Sequence, residues 1–157
     1  MVTVHSGSRA VPSALSPLPL DAWLLDPTAA AVSLPNTASP DLLGDGLARL
    51  ELIALHFPKF NDGRAYSQAR LLRGRMGYRG ELRATGDVLR DQLPFMLRCG
   101  FDSFEKADPP FGEAVRAAAT LFSVVYQPAE DNRVPAAELR RLATAGAMAA
   151  AAAVSLG

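Results

Sequence analysis

Three arginines, Arg64, Arg83 and Arg90, with Asp62 and Asp87 close to them in sequence, are the residues of this chain best suited to chemistry. A guanidinium is a planar fork that takes oxyanions at two points, and a neighbouring carboxylate can orient it. Between Arg49 and Lys106 the chain has eleven Lys+Arg, nine of them arginine, against seven Asp+Glu. That stretch therefore has an appetite for small anions which the whole chain lacks, because sixteen basic residues balance sixteen acidic ones overall. Balanced charge supplies no global field for nucleic acid or a membrane surface. The bland alternative is a solvated basic face, and Arg70, Arg73 and Arg75, close together on one helical stretch, read that way.

Other chemistries are poorly supplied. A single cysteine, Cys99, excludes an internal disulfide and a cysteine-based zinc cluster. His5 and His56 are the only histidines, too few for a structural metal site, and no nucleophile motif accompanies His56. Asp87 and Glu105 could hold a hard cation, but two carboxylates make a thin ligand set, so no metal is expected. No glycine-rich nucleotide motif occurs, and no cofactor is evident. No apolar run is long enough to span a membrane, and Pro12, Pro17 and Pro19 interrupt any export signal, which makes the cytoplasm the expected compartment.

The elements that would position these residues follow from the apolar pattern. Residues 1–20, rich in serine and proline, are expected to be disordered. Residues 21–126 form a single α/β domain, and 127–157 a linker with an alanine-rich C-terminal helix. Ala22–Leu25 and Ala30–Leu34 suggest a hairpin around Asp26-Pro27. Ser39-Pro40 is a helix start. Leu50–Phe57 reads as a strand covered on both faces, ended by Pro58. Ala65, Ala69, Leu72 and Met76 form one helix face, closed at Gly77. Leu82, Ala84 and Gly86 alternate with Glu81, Arg83 and Thr85 as a second strand, which leaves open the face that Arg83 occupies. Asp91 should cap a helix from Gln92, with Pro94 tolerated in its first turn. Phe101–Glu105 is a third strand. Asp108-Pro109 then opens a helix whose face is Phe111, Val115, Ala118, Phe122 and Tyr126. Pro135 starts the last helix.

This order, β-α-β-α-β-α, predicts a small, mostly parallel sheet with right-handed crossovers and the N-terminal strands at an edge. A half-barrel-like arrangement is the second reading, with a homodimer as one way to complete it. Ligands of parallel α/β units bind on the loops after the strands. That edge gathers Lys59, Asp62, Gly63, Arg64 and Ser67 from the first loop and Asp87, Arg90, Asp91 and Gln92 from the second, with Arg83 beneath. Their ordinary roles compete: Asp62, Asp91 and Asp108 are helix caps by type, and Gly63 and Gly86 are turn glycines. Cys99, at the far end of its helix, reads as a structural thiol.

Phe57-Pro58-Lys59-Phe60-Asn61-Asp62-Gly63-Arg64, Tyr66-Ser67, Ala69 to Arg73 and Gly77-Tyr78 carry a resemblance. It continues through Gly80 to Ala84 and Gly86 to Leu93, and ends at Arg98-Cys99-Gly100-Phe101-Asp102. These segments resemble a bacterial family known as domain of unknown function 934. Its members are described as probable oxidoreductases in sulfite reduction, because their genes lie beside the sulfite/nitrite reductase haemoprotein. The resemblance spans roughly Ala22 to Tyr126. It implies a protein of assimilatory sulfur metabolism that acts with the reductase, either as an accessory module that binds an oxyanion or docks on the reductase, or as an oxidoreductase in its own right. It carries over no catalytic residue. Pro94 departs from a usually aromatic position, Thr85 stands where valine is usual, and the tail after Pro135 is private to this chain.

Overall fold

The structure is a computed structural model that describes residues 2–5, 14–26, 28–106, 111–131 and 133–155. Its frame is five parallel strands in sequence order: β2 (Leu18–Pro19), β3 (Ala31–Leu34), β4 (Leu52–Phe57), β5 (Glu81–Gly86) and β6 (Ser103–Lys106). β1 (Val2–His5) pairs antiparallel with β6 and closes that edge. Parallel neighbours need crossovers, supplied by α1 (Leu20–Leu25), a 3₁₀ segment (Pro40–Arg49), α2 (Arg64–Arg70) and α3 (Leu93–Cys99). After β6 come α4 (Phe111–Thr120) and α5 (Ala136–Ser155).

Strands that advance in one direction with same-handed crossovers must put their helices on one face. The core has that composition. Val32, Leu34, Ile53, Leu55, Phe57, Leu82, Ala84 and Phe104 point to one side, where they meet Leu43, Ala65, Ala69, Leu72, Leu93, Met96, Phe111 and Val115. The α/β fold and its parallel sheet are as the sequence predicts. β4 is buried on both sides, with Leu52, Ile53, Ala54 and Leu55 fully covered.

Several local expectations are corrected. Ala22–Leu25 belongs to α1, and β3 runs parallel to β4, so there is no hairpin. Trp23 decides this: its indole is buried, donates to Ala29 O at 2.9 Å, and lies where any side chain at Gly46 would sit. α4 stops at Thr120, which leaves Phe122 and Tyr126 exposed instead of on a buried face. Asp91 caps nothing. It lies exposed in a 3₁₀ turn, Arg90–Gln92, and α3 begins at Leu93 with Pro94 in its first turn. Of residues 1–20, 2–5 and 18–19 are edge strands, while 1 and 6–13 lie outside the described residues, as does Asp108.

The largest correction is Arg73. Arg70 and Arg75 are exposed, but Arg73 is buried. α2 runs on as a π-helical turn, Leu71–Arg75, and this wider turn directs Arg73 beneath the sheet's amino edge. Its Nε donates to Gly100 O at 3.0 Å, its Nη1 to Tyr78 O and Gly80 O at 2.9 Å each, and its Nη2 to the Asp102 carboxylate. Asp102 Oδ2 also accepts Leu82 N at 2.9 Å. The Tyr78 ring lies 5.4 Å from the guanidinium carbon. Gly100, at φ +101°, ends α3 in the left-handed conformation, and a Cβ there would stand 2.6 Å from Arg73 Cγ. Gly100 is thus required twice, for its backbone angle and for Arg73's path.

Both charged side chains are about 1% exposed, so removal of either leaves the other buried and uncompensated. Arg73→Met should cost about 3–5 kcal/mol, a large share of a domain's total stability, as read by urea unfolding. A change within 1 kcal/mol of zero would contradict this role for the pair. Cys99 yields a second expectation. Burial pushes its thiol up to about 11, against the partial opposition of Arg70 and Arg98. The native thiolate population at pH 8 should therefore fall about a hundredfold below that of the unfolded chain. Iodoacetamide labelling followed by mass should be correspondingly slow until urea is added. Because the folded pKa is raised, Cys99 favours the native state below the ordinary thiol range. That contribution is lost as pH rises toward 11.

Candidate functional site

The carboxyl ends of β4 and β5 carry two loops, and hydrogen bonds stitch them together. The β4 loop turns at Pro58–Asn61, where Asp62 N reaches Lys59 O at 3.0 Å. The β5 loop begins at Gly86, whose φ of +87° turns the chain so that Asp87 N bonds Phe57 O at 2.8 Å. A Cβ at Gly86 would lie 2.3 Å from that same oxygen, which only glycine avoids. Asp87 Oδ2 then accepts Phe60 N at 3.1 Å, and Gln92 Nε2 donates to Phe60 O at 2.7 Å. Gln92 Oε1 meanwhile accepts Leu89 N at 3.3 Å and closes its own turn. Phe60 is therefore gripped by both backbone groups, while its ring stands half exposed. Leu89 is exposed on the β5 loop and Phe95 on the first turn of α3, where its ring centroid lies 5.0 Å from that of Tyr66.

Beside this clamp lies the ion pair expected from sequence. Arg64 Nε and Nη2 reach the two oxygens of Asp62 at 2.9 and 2.6 Å, a bidentate fork. Asn36, after β3, donates to Asp62 Oδ2 at 2.8 Å. These bonds, Arg64's first, hold the Asp62 carboxyl well below the ordinary carboxylate range. Asp62 lies one residue before the helix cap and accepts Arg64 N at 3.3 Å, so it serves the first turn of α2 as well. Gly63 occupies the cap position itself.

The predicted residues thus separate into groups. Lys59, Asp62, Gly63, Arg64, Asp87, Arg90, Asp91 and Gln92 share the carboxyl edge; Ser67 follows, exposed, one turn into α2. Arg83 does not join Arg64 and Arg90. It points to the face of the sheet opposite the apolar core, buried, with Nε and Nη2 each 2.9 Å from Glu81 Oε1, an oxygen that also accepts Ser103 Oγ. Asp87 orients a backbone amide where an arginine was expected. Two features escaped the sequence reading. One is the aromatic group at the edge, for which exposed Phe60 and Phe95 were the only signal. The other is the polar lining of the face opposite the core, whose signal was the alternation of Glu81, Arg83 and Thr85. Among the described residues no three His, Cys, Asp or Glu side chains are placed to hold a metal, and no helix is long and apolar enough to cross a membrane.

Chemically, the edge is better built to present side chains than to transform a small molecule. Arg64's fork is already occupied by Asp62, and a free oxyanion would have to displace that carboxylate. No curated protein sequence matches the chain. A family model described as "Bacterial protein of unknown function (DUF934)" matches residues 31–137, from β3 to the start of α5, and includes every loop of this edge. The chain belongs to the DUF934 family of bacterial proteins.

Proposed function

We propose that this protein is an accessory module of assimilatory sulfur metabolism, working in the cytoplasm, and that its carboxyl edge docks on the sulfite/nitrite reductase haemoprotein. One observation carries the docking reading: Phe60 is held by Asp87 and Gln92 through its own N–H and C=O, yet its ring is turned to solvent. Aromatic side chains fixed before contact lose little entropy on binding and dominate interface energetics. Leu89 and Phe95 extend the apolar centre, and Lys59, Arg64 and Arg90 provide a charged rim. The choice of partner rests on the family context rather than on the geometry. The oxyanion reading is weaker, since Arg64 is engaged by Asp62 and Arg83 belongs to the other face.

An oxidoreductase acting directly in sulfite reduction is the second reading. It requires a redox group, so purified protein with a visible absorption band would favour it. The docking reading is tested by titrating the purified haemoprotein into the chain and its Phe60→Ala variant in a calorimeter. Loss of a central aromatic anchor should weaken binding by about 2 kcal/mol, or about thirtyfold. Asp87→Asn, which loosens the grip without removing the ring, should fall between that variant and the wild type. Absence of binding by the wild-type chain, or equal binding by Phe60→Ala, would reject the proposal.

A further inference from the structure

The face of the sheet opposite the apolar core holds a cavity of about 600 Å3 toward the carboxyl ends of its strands. Four successive parallel strands each contribute one polar side chain to it: Ser33 from β3, His56 from β4, Thr85 from β5 and Glu105 from β6. Register brings them together. His56 pairs with Thr85, while Ala54, one step below His56 on the same face, pairs with both Ser33 and Arg83. The buried Glu81–Arg83–Ser103 network therefore forms the layer beneath.

The details of the wall select a ligand class. Pro17, Pro19 and Leu20 form an apolar side. Asp21 and Glu105 are the acidic residues of the lining, at its two ends, and among the described residues no lysine or arginine joins them. His56 Nδ1 lies 3.3 Å from Thr85 Oγ1, which engages one ring nitrogen and leaves Nε2 for a ligand. The imidazole rests against the bare α-carbon of Gly86, where a Cβ would come 2.8 Å from Cε1 and 3.0 Å from Nδ1. Among the described lining residues an anion meets carboxylates and no lysine or arginine, whereas a cation finds a counter-charge at Glu105.

We propose that this cavity binds a small organic cation, with its ammonium group received by Glu105 on β6 and a polar substituent on His56 Nε2, two strands away. The cavity shares no residue with the Phe60 group, so this proposal and the docking reading stand or fall separately.

The test uses the full chain and two probes of similar body and opposite charge, tyramine and 3-(4-hydroxyphenyl)propionate. Binding is followed by histidine ring proton–carbon NMR, where only His5 and His56 contribute and His56→Gln makes the assignment. Tyramine should shift the His56 signals saturably and the propionate should not. In Glu105→Gln, which keeps the side chain's shape, tyramine affinity should fall about tenfold, consistent with loss of one charge-assisted hydrogen bond. The proposal is overturned if tyramine leaves His56 unmoved up to about 10 mM, a free energy near the floor of specific binding. It is equally overturned if the propionate binds as well as the amine, or if Glu105→Gln, confirmed folded by its spectrum, binds tyramine like the wild type.

Discussion

The ion pair between Arg73 and Asp102 is the constraint on which the rest of this structure depends. Two charges taken out of water are tolerated only when nearly every hydrogen-bonding position around them is filled. The fold meets that condition by directing the carbonyls of Tyr78, Gly80 and Gly100 at one guanidinium, and Leu82 N at the carboxylate. Those groups belong to the end of the α2 helix, the start of β5, the end of α3 and the approach to β6. A single side chain therefore fixes the spacing of two successive β-α units. The π-helical turn at Leu71–Arg75 and the left-handed Gly100 are the backbone adjustments that admit it.

With the amino edge locked in this way, the carboxyl edge can hold its loops to a different standard. There the bonds are between side chains and loop backbone: Asp87 and Gln92 on Phe60, Asn36 and Arg64 on Asp62. They are exposed or half exposed, and each contributes on the order of 1 kcal/mol, so they shape the edge rather than secure the fold. Parallel α/β proteins commonly separate stability and function along the strand axis in this manner. The sheet separates them a second time, across its two faces: the one against the helices is apolar, and the opposite one carries His56, Thr85 and the buried Glu81, Arg83 and Ser103.

What the sequence revealed, and what it hid, follows the range of the interactions. β4 was legible because its apolar run is continuous, and α3 because Pro94 acts locally in a first turn. Asp62 and Arg64 were legible because a pair two residues apart can close on itself. Arg73 was not, since a charge on a helical stretch ordinarily meets water and its partner lies 29 residues away. Gln92 read as a helical residue, while its real contact is the Phe60 carbonyl, 32 residues away. The alternation of β5 exposed two kinds of side chain without saying which kind faced the helices. That depended on the winding of the whole sheet. Trp23 was misread because its short apolar run fits strand and helix equally, and only the notch at Gly46 decides between them.

The central claim is that the loops after β4 and β5 form a rigid docking surface for the haemoprotein. Amide hydrogen exchange on the chain, with and without the purified reductase, tests it most directly. The account predicts slower exchange in 58–64 and 86–95 on addition of the reductase, with the already buried segment around Arg73 unchanged. Protection confined to other segments, or no protection at protein concentrations that saturate the reductase, would contradict it.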